Sequence, residues 1–235
     1  MIEFRNVSYT SEDGNDIIKD VSFKFSERFV VITGPNGSGK STVARLIAGI
    51  IKPTSGRIFI DDKDITDLSV TERAQEGISY GFQQPVRFKG LTVKDLLSLA
   101  SGQKLTTAEA CTLLSKVGLC ARDYVGREAN ASLSGGELKR IEIAMIMARN
   151  TRISMFDEPE AGIDLWSFNN LINVFKELHE NTQGTIIIIS HQERILKLAD
   201  RIIVIANGVV TADGEGSKLY KEIQTPGCVY YRKGE

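Results

Sequence analysis

The chain has 235 residues, enough to bury a sizeable core without disulfide or metal staples. Its 29 Lys+Arg against 30 Asp+Glu leave a formal net charge of −1, so a broad cationic face for nucleic acid is not expected. At 42% hydrophobic and 25% charged, with no run of 18 apolar residues, the composition excludes a disordered chain and a membrane-spanning helix.

The first elements read as β. Residues 2–7 alternate apolar and polar, residues 11–16 are turn-rich, and residues 18–25 alternate again, which predicts antiparallel strands at one edge. Phe29–Thr33 is a short continuous apolar run, the pattern of a strand buried on both faces. A Gly-rich loop, an apolar helix over 41–50 and a strand over 56–60, ended by Asp61-Asp62, follow. Residues 92–150 read as helical. Thr92 with Asp95, Thr106 with Glu109 and Ser134 with Glu137 are cap pairs at the spacing of a capping box. Leu96, Leu97, Leu99, Ala110, Leu113, Leu114 and Val117 recur at helical spacing. The α/β pattern then resumes. It predicts a strand over 153–156, a helix with one face made by Leu165, Phe168, Leu171, Ile172, Phe175 and Leu178, and a buried strand over 185–189. A helix over 192–199, a strand over 202–205 and a hairpin turn at Asn207-Gly208 complete it. The expected layout is an α/β core split by a helical insertion.

The N-terminus lacks a basic region followed by an apolar one, so no secretory signal is expected. Cys111, Cys120 and Cys228 are odd in number with no C-x-x-C spacing, which disfavours a disulfide framework or a cysteine metal cluster. Reduced thiols in a cytoplasmic protein are expected. Two histidines, His179 and His191, give poor support to a zinc site.

Two stretches carry phosphate chemistry. Gly34-Pro35-Asn36-Gly37-Ser38-Gly39-Lys40-Ser41-Thr42 has the spacing G-x-x-x-x-G-K-[ST], with a buried strand before it and an apolar helix after it. Glycines let backbone N–H groups reach phosphates, and the helix N-terminus adds partial positive charge. Lys40 is expected on the outer phosphates of a nucleoside triphosphate and Ser41 on Mg²⁺. Asp157 and Glu158 end a buried strand, where carboxylates face the ligand edge of a parallel sheet. Asp157 would hold Mg²⁺, and Glu158 would orient or deprotonate the attacking water.

Leu133-Ser134-Gly135-Gly136-Glu137, between those two motifs, resembles the signature of the ATP-binding-cassette (ABC) family. The same five residues also read as a plain helix cap. The resemblance implies an α/β P-loop NTPase cassette with an antiparallel β edge subdomain and a helical signature subdomain. On that basis the whole chain, 1–235, is expected to be one ATPase domain. Residues 1–90 and 151–235 would form its core and β subdomain, and 91–150 its helical subdomain. It further implies Mg²⁺-dependent ATP hydrolysis, with Glu158, His191 and Gln83 as catalytic positions. His191 would be the switch histidine at the γ-phosphate, and Gln83 the glutamine that senses Mg²⁺ and the partner, with Gln84 as the competing choice. Metal-holding positions would be Ser41, Gln83 and Asp157. Nucleotide contacts would come from Tyr9, residues 34–42, Ser134, Gly135, Gly136, Glu137 and Asp164. Tyr9, 25 positions before Gly34, matches the adenine-stacking aromatic, and local packing at a strand end explains it nearly as well. In the family two copies close head to tail around ATP.

Among cassettes, a long coiled-coil insertion, a second cassette and attached membrane helices are all missing from the sequence. Two types remain. Gln83 with Pro85-Val86, the run Gly136-Glu137-Leu138-Lys139-Arg140, Gly162-Ile163-Asp164 and Glu193-Arg194-Ile195-Leu196 after His191 resemble a SufC-type ATPase. That type drives a SufB/SufD-like scaffold in iron–sulfur cluster assembly, and it is the favoured expectation. Pro159 and Ala199-Asp200-Arg201 resemble the nucleotide-binding subunit of a transporter with a separate membrane permease. Ala161 departs from both, which usually place a serine there. For either partner, the surface over 83–90 and the helix over 93–100 is the expected docking face, with Phe88 and Leu91 as apolar contacts or as local core.

Overall fold

The computed structural model describes residues 1–130, 132–181 and 183–224, so Cys228 lies outside the described residues. The chain divides into two compact units, one built from 1–78 and the described residues from 185 on, the other from 79–184. In chain order the first segment holds β1 (Ile2–Thr10), β2 (Asp16–Phe25), β3 (Phe29–Thr33), α1 (Lys40–Ala48), β4 (Ser55–Ile60), β5 (Lys63–Asp64) and α2 (Val70–Gln75). Then come β6 (Ile78–Gly81), α3 (Val93–Ser101), α4 (Thr107–Lys116), α5 (Ala121–Tyr124), α6 (Gly135–Arg149), β7 (Ile153–Asp157) and α7 (Leu165–Asn181). Last are β8 (Thr185–Ile189), α8 (Glu193–Leu196), β9 (Arg201–Ala206), β10 (Val209–Glu215) and α9 (Gly216–Gln224).

In the first unit the alternating runs form an antiparallel sheet in the order β2-β1-β4-β5. The register sets Ile2 against Phe25, Phe4 against Phe23 and Val7 against Val21, all six buried, with the Phe4 and Phe23 rings stacked at 4.4 Å. A strand's period of two carries these side chains to one face. The period breaks where Asn6 and Asp20 take positive φ and bond to each other at 2.9 Å. The second sheet of this unit runs β10-β9-β3-β8. β3 pairs in parallel with β8 and β9, and all five of its residues are buried, as a two-faced central strand requires. Asn207 and Gly208 both have positive φ and turn β9 into antiparallel β10, as the hairpin signal predicts.

Two features here differ from the sequence expectation. α8 spans only Glu193–Leu196, because the next turn tightens: Leu198 N–H bonds Ile195 O and Ala199 N–H bonds Leu196 O, both i→i−3. α2, which no periodicity flagged, is closed by a Ser69–Glu72 capping box and carries Arg73, which is fully buried. The Arg73 guanidinium donates to the carbonyls of Leu46, Ile47, Thr66 and Leu68 at 2.5 to 3.1 Å. It thereby brings a cation to the carbonyls at the end of α1. Burial lowers its pKa to about 10, opposed by the charges of Asp64 and Asp67.

In the second unit the three capping boxes form at Thr92–Asp95, Thr106–Glu109 and Ser134–Glu137, so α3, α4 and α6 begin where the cap pairs place them. α3 and α6 pack together. β7 is buried along its whole length beside β6. On α7, Phe168, Leu171, Ile172 and Phe175 are buried, whereas the side chain of Leu165 lies outside the described residues. Leu96 and Leu97 enter the core, but Leu99 is 68% exposed. Two positions beyond Leu97, it falls about 200° further round the helix, on the opposite face.

Candidate active site

The first unit holds the Gly-rich loop. Residues 34–39 link buried β3 to α1, whose N-cap is Gly39, with no side-chain cap and no acid in the first turn. A helix start with neither a side-chain cap nor an acid in its first turn favours an anion there. Gly34 has φ +144°, and a Cβ there would lie 1.9 Å from the Ile205 carbonyl oxygen, so only glycine lets the loop leave the sheet this way. The hydroxyls of Thr33 and Ser38 are buried with no hydrogen-bond partner among the described residues. An orphaned buried hydroxyl costs free energy unless a ligand satisfies it. Lys40 is 5% exposed, and its ammonium donates to the Gly34 and Pro35 carbonyls at 3.0 and 2.7 Å. The lysine is thus held across the loop. Asn36 and Gly37 are exposed, and Pro35, Ser41 and Thr42 are half-buried. His191 follows β8 and is exposed, while its neighbour Ser190 is fixed by its amide on the Ile32 carbonyl at 3.2 Å. Tyr9 is half-buried opposite Ile18 in the β1–β2 ladder.

The second unit supplies the carboxylates. Asp157 ends β7 and is fully buried, and the Tyr80 hydroxyl donates to its Oδ2 at 2.8 Å. Glu158 turns the chain away with φ +45°, and its Oε2 accepts from Gln83 Nε2 at 2.7 Å. Gln83 and Gln84 are both exposed, and Gln83 is the one that meets Glu158. The peptide of Phe82, just before Gln83, is gripped from α6. Its N–H donates to Glu142 at 2.9 Å, its carbonyl accepts from the Lys139 ammonium, and Lys139 and Glu142 form an ion pair at 3.3 Å. Burial raises the Glu142 carboxyl above its ordinary pKa, opposed by Lys139.

The predicted signature tip is an accessible helix end. Ser134 and Gly135 are exposed at the start of α6. Ser134 Oγ accepts from the Glu137 amide, Glu137 accepts from the Ser134 amide at 2.7 Å, and the Tyr124 hydroxyl donates to the same carboxylate. The Tyr124 bond is the main reason that Glu137 lies below the usual carboxylate range. The capping-box reading of Ser134 and Glu137 is the one these bonds form. Gly136 sits beside the 160–164 turn, where a Cβ would be 3.3 Å from the Gly162 carbonyl. Asp164 is exposed and accepts from the Ser167 amide at 3.0 Å.

The sequence motifs gave Tyr80 and Glu142 no role, and Lys139 entered only as part of the run 136–140. The available signals were a tyrosine alternating with Phe82 on a strand and a Lys-x-x-Glu pair on a helix. Among the described residues no group of three or more His, Cys, Asp or Glu could hold a metal ion. A buried carboxylate such as Asp157 instead suits a hard divalent cation that brings phosphate oxygens with it.

The ABC transporter family profile matches residues 18–161. An uncharacterized ABC transporter ATP-binding protein of Methanocaldococcus jannaschii is 37% identical over 213 residues, 87% of this chain and 85% of that protein. The energy-coupling factor transporter ATP-binding protein EcfA1 of Mycoplasma mobile is 34% identical over 229 residues, 94% of this chain and 82% of that protein. Among solved structures, the dimeric ATP-binding cassette MJ0796 in a post-hydrolysis state with ADP and Pi superposes with a TM-score of 0.80 at 27% identity. That match covers 92% of this chain and 98% of the other. These matches establish that the chain belongs to the ABC transporter family and is an ATPase with the ABC cassette fold.

Proposed function

We propose that this chain is the nucleotide-binding subunit of an ABC transporter whose membrane permease is a separate chain. The observation that carries the reading is the match over 94% of this chain to a relative named as an energy-coupling factor transporter ATP-binding protein. Among the described residues no helix is long and apolar enough to cross a membrane. The chain would work as one ATPase domain at the cytoplasmic side of the complex, with 91–150 as its helical part.

ATP would lie on the loop at 34–42, with Lys40 on the outer phosphates and Tyr9 by the base. Ser41, Gln83 and Asp157 would hold Mg²⁺, which when bound supplies charge neutralisation to the phosphoryl group. Glu158 would accept the proton of the attacking water, and His191 would contact the γ-phosphate. A second copy would add its residues 134–137 and Asp164 in a head-to-tail dimer. The dimeric solved neighbour and the exposed Ser134 tip support this.

The partner would dock on the second unit. A groove of about 360 Å³ is lined there by Tyr80, Phe82, Val86, Phe88, Leu91 and Leu99 among others, and Phe82, Val86 and Leu99 are 42%, 48% and 68% exposed. Apolar side chains left open in a groove mark an interaction site.

A second reading, the drive of a SufB/SufD-like scaffold in iron–sulfur cluster assembly, rests on Glu137, Lys139 and the run after His191. One experiment separates the two. The Glu158→Gln variant is purified with its native partners in the presence of ATP. An integral membrane partner supports transport, and a soluble scaffold supports cluster assembly. An ATP-independent monomer with no Mg²⁺-dependent ATP binding would overturn both.

A further inference from the structure

We propose that Tyr80 is a positioning residue for Asp157: its hydroxyl sets the orientation of the carboxylate that the proposed function assigns to the divalent cation. The geometry is specific. Asp157 is fully buried at the end of β7, and its Oδ2 accepts from the Tyr80 hydroxyl at 2.8 Å. A carboxylate on a single-bonded carbon rotates about Cβ–Cγ, and one strong donor on one oxygen fixes that rotation. Tyr80 is half-buried. It lies on β6, the strand next to β7, and its ring packs edge-on against Phe82 at 4.9 Å and 89°. Partners of this kind, which do not touch a cation but orient the group that does, change cation affinity when removed. The same strand treats both acids at the end of β7 in one way: Tyr80 donates to Asp157, and Gln83, just past the strand, donates to Glu158. Tyr80 also lines the apolar groove, so one side chain reaches from that groove to the buried carboxylate.

The inference rests on the reading of Asp157 as a cation-holding group, and the test separates the two. Mn²⁺ binding is measured by electron paramagnetic resonance on the whole chain with saturating ADP, so no turnover is involved. Tyr80→Phe keeps the ring and removes one oxygen. It is expected to weaken Mn²⁺ binding roughly 10-fold, with ADP affinity in the absence of the cation unchanged. Asp157→Asn is expected to abolish the cation-dependent part, and the double variant is expected to add nothing to Asp157→Asn. Unchanged or tighter Mn²⁺ binding by Tyr80→Phe, with Asp157→Asn defective, overturns the role of Tyr80 and leaves that of Asp157 standing. Normal Mn²⁺ binding by Asp157→Asn overturns the role of Asp157. An additive loss in the double variant would mean that Tyr80 acts by another route and would also overturn the proposal. Should Tyr80→Phe fail to fold, Tyr80→Leu, which also removes the hydroxyl, gives the second comparison: a folded Tyr80→Leu is expected to bind Mn²⁺ more weakly than wild type, and undiminished binding counts against the proposal.

Discussion

Gln83 Nε2 lies 2.7 Å from the Glu158 carboxylate, so the proposed general base is tethered by a side chain 75 positions earlier in the chain. Glu158 also sits at φ +45°, a conformation a non-glycine residue adopts at a cost of about 1–2 kcal/mol. The tether and the Ala161 amide on the Glu158 carbonyl at 3.0 Å hold that turn. Strain maintained beside a reacting group is a feature of functional sites.

Glu158→Gln removes the proton acceptor and keeps the side-chain shape. ATP binding should persist, and turnover should fall by about 10²-fold or more. Gel filtration with ATP should show a trapped dimer, and a monomer at the wild-type turnover rate would contradict the assignment.

Lys40→Ala removes both the cation of the loop and its bonds to Gly34 and Pro35. Each charge-assisted hydrogen bond is worth about 1.5–3 kcal/mol, so ATP affinity should drop by about 10-fold at the least. Calorimetric titration measures it, and wild-type affinity would remove Lys40 from the phosphates.

Glu142→Ala leaves the Lys139 ammonium, 2% exposed, without its carboxylate. Breaking such a buried pair costs about 3–5 kcal/mol. Urea unfolding should show that loss. The paired change Lys139→Met with Glu142→Met should recover much of the stability without recovering turnover, because the Phe82 peptide that carries Gln83 stays ungripped. Full turnover in the double variant would show that the grip has no part in the reaction.

Tyr124→Phe tests a pH dependence. Folding depresses the Glu137 pKa, chiefly through the Tyr124 hydroxyl. A depressed carboxylate contributes stability above its unfolded pKa of about 4.5, and that contribution is lost as pH falls through the lower folded value. The wild type should therefore exceed Tyr124→Phe by about 1 kcal/mol at pH 7, and the gap should close in acid. Paired unfolding curves at pH 7 and in acid check the sign, and a gap that widens in acid would refute it.

The amino-acid sequence by itself determined the elements whose causes are local. Positions three apart made the capping boxes at Thr92, Thr106 and Ser134, two adjacent residues made the Asn207-Gly208 turn, and one run of glycines made the turn from β3 into α1. Backbone amides and short polar side chains decide these features within a few residues, so they survive without knowledge of the rest of the fold. Tertiary structure alone decided which distant side chains meet. Tyr80 reaches Asp157 across 77 positions, Glu142 reaches the Phe82 amide across 60, and Arg73 meets the end of α1 across 27. Each is a polar group removed from water whose partner is set by the packing of strands and helices, and no local spacing encodes that choice.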